Sequence, residues 1–227
     1  MLSHINNQRG MLVRDTGGRT LENSWSEKMS AQGNIHYFAN WAKERLDEMD
    51  ATLTSLEGKV AEVQADARDK ANKALAELRK NRDGFRDAVK KQAGANEAAW
   101  TSAKTKLETE WNLFEAEVKK YVESFGEQFE LHQATFKLQA AAQLKAWRDA
   151  ADKLSSAASE FAAERRSEIE ANVKRMKADA VAAEEKLKTL NQAGTQSWSA
   201  LTAALTETRA VFDRANQAVR EAFKRAA

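Results

Sequence analysis

The run ANWAKERLDEMDATLTSLEGKVAEVQADA, residues 39–67, decides the fold class. Its apolar positions Ala39, Ala42, Leu46, Met49, Leu53, Leu56, Val60, Val63 and Ala67 step by three and four alternately. A 3.5-residue hydrophobic repeat of this kind comes to one face only on an α-helix. Charged and polar residues fill the intervening positions, as a helix with one buried stripe requires. After Ala67 the steps to Ala71, Leu75 and Leu78 are four, four and three, an eleven-residue interval that locally relaxes a left-handed supercoil. The seam resumes at Val173, Met176, Ala180, Ala183, Leu187 and Leu190.

Composition extends this reading to the whole chain. The 227 residues include 43 alanines and nine glycines but no proline and no cysteine. Ordinary chains carry roughly one proline in twenty, so this one has few tight turns. That excludes β-sandwiches, barrels and most α/β enzymes, together with disulfide scaffolds, thiol chemistry and cysteine-ligated zinc.

Thirty-six Lys and Arg against 34 Asp and Glu leave a formal charge of +2. Several acids stand four residues before a base (Asp66/Lys70, Asp69/Lys73, Asp87/Lys91, Glu115/Lys119, Asp149/Lys153, Glu170/Lys174, Glu184/Lys188). That order stabilises a helix by about 0.2–0.5 kcal/mol per pair. Acids interrupt each basic cluster (Arg79-Lys80-Arg82, Lys90-Lys91, Arg165-Arg166, Lys174-Arg175-Lys177), so these read as solvated helix faces and nucleic acid is not an expected partner. No segment approaches the roughly 18–20 apolar residues of a membrane span. The first thirty residues lack an apolar signal core, and a cytoplasmic protein is expected.

A second regularity is sharper. Trp100, Leu107 and Phe114 are spaced by sevens, as are Trp147, Leu154 and Phe161, and Trp198, Leu205 and Phe212. Three copies of Trp-x6-Leu-x6-Phe suggest a repeated helical packing unit whose members occupy the core.

Residues 1–28 hold three of the nine glycines and no periodicity, and read as a mobile tail, with Met29 as an alternative start of the chain. The domain boundary falls between residues 33 and 34. Gly94 and Gly194 offer left-handed helix stops, followed by Asn96 and Thr195 as N-caps. Gly58, Gly84 and Gly126 are expected inside helices. The expectation is therefore an all-α, elongated antiparallel helical bundle or coiled coil of about three long helices, at about 34–92, 96–192 and 196–225. The two shorter helices would lie along the halves of the long one.

The inventory for catalysis is poor. His4, His36 and His132 are far apart, none follows a glutamate by three residues, and no His-Glu-x-x-His occurs. Gly58-Lys59 lacks the upstream glycine of a phosphate loop. No enzyme, cofactor or metal is expected. His132, beside the apolar track from Phe129 to Phe136, reads as a half-buried core histidine. Trp111, Phe114, Tyr121, Phe125, Phe129 and Phe136 place six aromatics within 26 residues. Their ordinary role is core packing, and where one or two helices fail to cover them they become a self-association surface. A homodimer is the expected oligomer.

Two functions follow. The first is a non-enzymatic, self-associating scaffold that presents charged surfaces to an unidentified protein partner. The second is an amphipathic-helix protein that binds a membrane or another hydrophobic surface. Interfacial binding wants a wide apolar face flanked by basic residues, whereas this seam is narrow and its flanks are mixed in sign.

The latter two-thirds of the chain resembles bacterial Ala/Glu/Lys-rich coiled-coil proteins with no assigned activity. The segments that carry the likeness are Ala99-Trp100 with Glu110-Trp111, the run WRDAADKL from Trp147 to Leu154, and FDRANQAV from Phe212 to Val219 with Ala222-Phe223. The resemblance implies a bacterial cytoplasmic origin and no mechanism. The layout is also similar to BAR-type membrane-curving domains, phasin-like granule coats and apolipoprotein-like proteins.

Overall fold

The structure is a computed structural model. It describes the backbone of residues 17–92, 94–125, 129–193 and 197–227, and side chains for 33–92, 94–125, 131–192 and 197–227. Every regular element in these residues is helical: α1 (Gly17–Lys59) with a 3-10 turn at Val60–Glu62, α2 (Arg68–Lys91), α3 (Glu97–Phe125), α4 (Phe129–Ala158), α5 (Ala163–Ala193) and α6 (Trp198–Ala226). The all-α class stands as read, but about three long helices become six shorter ones.

The segment expected at 34–92 is broken between Lys59 and Arg68. The one expected at 96–192 is described as separate helices, the first ending at Phe125 and the second starting at Phe129, and is broken at Ser159–Ala162. Neither the first break nor the last contains glycine or proline, so local propensity gave no warning. In the first, the Arg68 guanidinium donates to the carbonyls of Ala61 and Val63, satisfying groups that a continuing helix would have used. Folding back then sets Leu75, Leu78 and Phe85 of α2 into the same core as Met49 and Leu56 of α1. Gly126 and Gly194 lie outside the described residues, as does Thr195.

Gly94 turns the chain between α2 and α3 with φ +81°, and Asn96 Oδ1 accepts from the Ala99 amide at 3.0 Å. The left-handed stop and the following N-cap thus occur where the sequence places them. At the start of α6 the cap is Ser197, which accepts from the Ala200 amide at 3.3 Å. α1 begins at Gly17 rather than near residue 34.

Pairings across the helices give their directions. Ser55 meets Thr135 and Glu48 meets Gln143, so α1 and α4 run antiparallel. Arg82 with Asp50 and Arg79 with Glu57 make α2 antiparallel to α1. Phe38 stacks on Trp100, 5.5 Å between centroids, while Lys104 sits over Trp41, so α3 runs parallel to α1. Arg148–Glu184 with Lys177–Asp152 makes α5 antiparallel to α4, and Lys186–Glu207 with Arg225–Glu168 makes α6 antiparallel to α5.

Two apolar cores result. One lies within α1, α2 and α3, joined by Leu131 and Trp198. The other lies within α4, α5 and α6. Of the residues 39–67 seam, Ala42, Met49, Leu53 and Leu56 are buried, Leu46, Val60, Val63 and Ala67 are half-buried, and Ala39 is exposed. In α5, Val173, Met176, Ala180, Ala183 and Leu187 are buried and Leu190 is half-buried.

All nine members of the Trp-Leu-Phe triplets are buried. Trp147 meets Phe212 edge-on at 5.5 Å, and Phe161, in the α4–α5 connection, meets Phe223 likewise. The acid-before-base pairs are not the ion pairs that form. Lysine precedes the acid in Lys104–Glu108, Lys119–Glu123 and Lys145–Asp149, while Glu115 and Glu184 pair across helices with Arg209 and Arg148. Tertiary geometry selects the partner.

α6 packs tightly on α1 at Gly33, where an added Cβ would lie 2.6 Å from Phe223 Cβ. Gly33→Ala should therefore lower unfolding stability by about 1–3 kcal/mol, as overpacking does. Gly84→Ala, in open space within α2, should raise it by about 0.5–1 kcal/mol. Urea denaturation of the two variants checks both signs.

Candidate functional site

Every buried polar or charged side chain among the described residues lies on α1, α4 or α6. On α1 these are Asn34, Asn40, Glu44, Arg45, Glu48, Thr52 and Ser55, and on α4 Thr135, Gln139 and Gln143. On α6 they are Thr208, Arg209 and Asn216. Steps of three and four residues carry them along one face of each helix, beside the apolar stripe rather than on it. They form a polar seam between the two cores.

At one end the hydroxyls of Ser55 and Thr135 are 2.9 Å apart. One turn along, the Thr52 hydroxyl donates to the Glu48 carbonyl at 2.7 Å and accepts from Gln139 Nε2 at 2.8 Å. In the middle, Gln143 Nε2 donates to Glu48 Oε2 at 2.8 Å and lies 3.2 Å from the Leu205 carbonyl. The Thr208 hydroxyl reaches Gln143 Oε1 at 2.8 Å. Beyond it, Asn40 Nδ2 approaches Asn216 Oδ1 at 3.5 Å, and Asn216 Nδ2 donates to the Tyr37 carbonyl at 2.9 Å. The far end is closed by Arg220, which donates to Asn34 Oδ1 at 2.5 Å and pairs with Glu97.

The charged centre is Arg209. Its Nη2 donates to Glu48 Oε1 at 2.7 Å and its Nη1 to Glu115 Oε1 at 3.0 Å, while the guanidinium lies 4.6 Å from the centroid of Trp111. Arg45 makes a second node. It grips both carboxylate oxygens of Asp213 at 3.1 and 2.6 Å, donates to Glu44 Oε2 at 2.9 Å, and covers Trp41 at 4.6 Å. Four carboxyl groups thus face two guanidinium groups.

The surplus of negative charge falls on Glu44. It is 1% exposed, and its Oε1 has no hydrogen-bond partner and lies 4.0 Å from Arg209 Nε. Burial, countered by Arg45 and reinforced by Glu48, pushes its carboxyl up to about 8. Burial likewise raises Glu115, against the pull of Arg209. Near neutral pH the arrangement holds a proton on Glu44 and fixes the relative positions of three helices.

The aromatic segment is dispersed by this geometry. Trp111, Phe114 and Tyr121 are buried in the first core and Phe136 in the second. Phe125 is half-buried against Tyr121, 5.0 Å between centroids, and the Phe129 side chain lies outside the described residues. His132 is half-buried beside Trp198 at 5.6 Å, the environment its position suggests. His36 is half-buried, and burial, with Lys153 nearby, holds its imidazole below the ordinary value. No group of His, Asp and Glu among the described residues is arranged to hold a metal.

The seam itself escaped the sequence reading. Asn40, Glu44, Glu48 and Thr52 recur every fourth residue, as do Thr135, Gln139 and Gln143. Such columns look like the solvated face of a helix until a second helix is known to cover them. Comparison with protein-family models, characterised proteins and solved structures finds no match.

Because Glu44 is raised from its ordinary value, the folded state holds a proton that the unfolded state releases. The neutral form contributes fully below about pH 4.5, and that contribution is lost as pH rises to about 8. Stability should fall across this window, and Glu44→Gln should flatten the decline when urea midpoints are measured from pH 5 to 9. Arg209→Met strands Glu48 in the interior and should cost about 3–5 kcal/mol. Adding Glu48→Met and Glu44→Met should recover most of the loss in the same assay.

Proposed function

We propose that the chain is a non-enzymatic structural or interaction protein: a helical body of fixed register that presents charged helix faces to other proteins. The observation that supports this reading is where its polarity lies. Costly buried charges join α1 to α6 and buried hydrogen bonds join both to α4, while the outer faces carry ion pairs of mixed sign such as Arg79–Glu57, Lys177–Asp152 and Arg225–Glu168. Exposed pairs of this kind add little stability, median 0–1 kcal/mol, but keep a helical surface wet and patterned for recognition.

The amphipathic, surface-binding alternative needs a broad apolar face turned outward. The large exposed apolar residues among those described are Ile35, Leu113, Leu138 and Val181, on four different helices. No helix of the described residues is long and apolar enough to cross a membrane. Binding to a bilayer surface would therefore require the two cores to part and turn outward.

Self-association through the aromatic segment is not carried into the proposal, because the same chain already covers Trp111, Phe114, Tyr121 and Phe136.

Sedimentation equilibrium should give the mass of one chain, 25.3 kDa. A dimer that Phe125→Asp dissociates would reinstate the self-association reading. In co-sedimentation with neutral and anionic vesicles at physiological salt, the protein should stay in the supernatant. Pelleting with either vesicle would reinstate the surface-binding alternative.

A further inference from the structure

A groove of about 300 Å³ runs between α4 and α5. Its apolar lining includes Ala140, Leu144 and Leu187, which belong to the second core. Ala140 and Ala141 are too short to close it from the α4 side. Its rim is basic: Lys137, Arg148 and Lys188 line it, and all three are exposed. The one carboxylate among its lining residues, Glu184, is held by Arg148 at 2.5 Å.

The two lysines stand together at one end. Gln133 Nε2 lies 3.4 Å from the Asn191 carbonyl, and Arg148 meets Glu184 further along the same antiparallel pair of helices. Lys137 is one turn along α4 from the first contact and Lys188 one turn back along α5, so they flank the groove at the same level. No acid stands within four residues of Lys137 on either side. Neither lysine forms an ion pair among the described residues. Two unpaired ammonium groups on opposite lips of one groove favour an anion between them.

Other cavities lack this imbalance. The one near Tyr121 sets Lys59 against Glu62, and the one between α3, α4 and α6 sets Lys119 against Glu115. The α4–α5 groove sets three cations against one carboxylate, a surplus of two positive charges beside an apolar floor.

We infer that this groove binds a free, single-chain anionic amphiphile, a medium-chain carboxylate. Its chain lies on Ala140, Leu144 and Leu187, and its carboxylate sits between Lys137 and Lys188. A cavity of about 150 Å³ holds benzene, so one of about 300 Å³ holds a chain of roughly ten to twelve carbons. From Lys137 to Arg148 the α4 axis rises about 16 Å, room for such a chain to lie extended. The chain supplies most of the affinity through apolar burial, and the exposed lysines select the sign of the head without stripping it of water. The site goes beyond recognition of protein partners and does not require the two cores to part.

The test uses the full chain at physiological salt with decanoate and decyltrimethylammonium, which share a chain length and carry opposite heads. Both are kept below micelle-forming concentrations and read by calorimetry and saturation-transfer NMR. Decanoate should bind about tenfold more tightly than the cation. Hexanoate, four methylenes shorter, should bind at least about tenfold more weakly than decanoate. Lys137→Glu/Lys188→Glu, at exposed positions and with far-UV circular dichroism verifying the fold, should reverse the preference for the anion. Ala141→Trp, which fills the groove from an exposed position, should abolish binding of both probes. Absence of decanoate binding, equal affinity for the two heads, or binding that survives Ala141→Trp overturns the proposal. So does pelleting with anionic vesicles that is lost in Lys137→Glu/Lys188→Glu, which would assign the lysines to a bilayer surface.

Discussion

Arg209 meets carboxyl groups from two other helices and the face of an indole, and the relative positions of α1, α3 and α6 depend on it. It is 6% exposed, and Glu48, its main partner, is 1% exposed. At such burial each charge alone would cost several kcal/mol, and together, with Gln143 bonded to the same carboxylate, they are tolerated. The pair therefore acts chiefly against alternatives: any arrangement that separates Arg209 from Glu48 leaves two uncompensated charges in the interior.

The apolar cores are less discriminating. A seven-residue slip of α5 brings Ala183 to the place of Met176 and Leu187 to that of Ala180, so the apolar character of the seam survives. Alanine-rich heptads tolerate such shifts, and a polar seam does not, since a slip by one turn would part Glu48 from Arg209 and Gln143. The cores supply the driving force for collapse, and the hydrogen-bonded column from Ser55 to Asn34 selects one register. That division also places the ionisable surplus, borne by Glu44, where three helices meet.

Much of the fold was legible because periodicity and turn chemistry are local. The α5 seam, the buried Trp-Leu-Phe triplets, and the turn at Gly94 with Asn96 as its cap follow from spacing and from what those residue types can do. The breaks at 60–67 and 159–162 did not, because alanine, serine and charged residues allow a helix to continue and only the return of α2 and α5 onto their neighbours favours stopping. Phe161 illustrates this: its heptad position read as helical, yet it is buried from a connection. The seam was hidden for a related reason. Asn40, Glu44 and Glu48 have the spacing of a wet face, and their burial depends on α4 and α6, more than eighty residues away in sequence. The ion pairs show the same effect on the surface, where Glu115 forgoes Lys119 for Arg209.

The central claim, that the polar seam sets one register between α1 and α4, has a direct test because the chain has no cysteine of its own. The Ser55 and Thr135 hydroxyl oxygens are 2.9 Å apart, close enough for paired cysteines to join without large backbone movement. The measurement is the rate of disulfide formation in Ser55→Cys/Thr135→Cys, compared with Thr52→Cys/Thr135→Cys, which is displaced by about one turn. The account predicts rapid, near-complete closure of the first pair and little of the second. Equal closure of both, or preferential closure of the second, would contradict it.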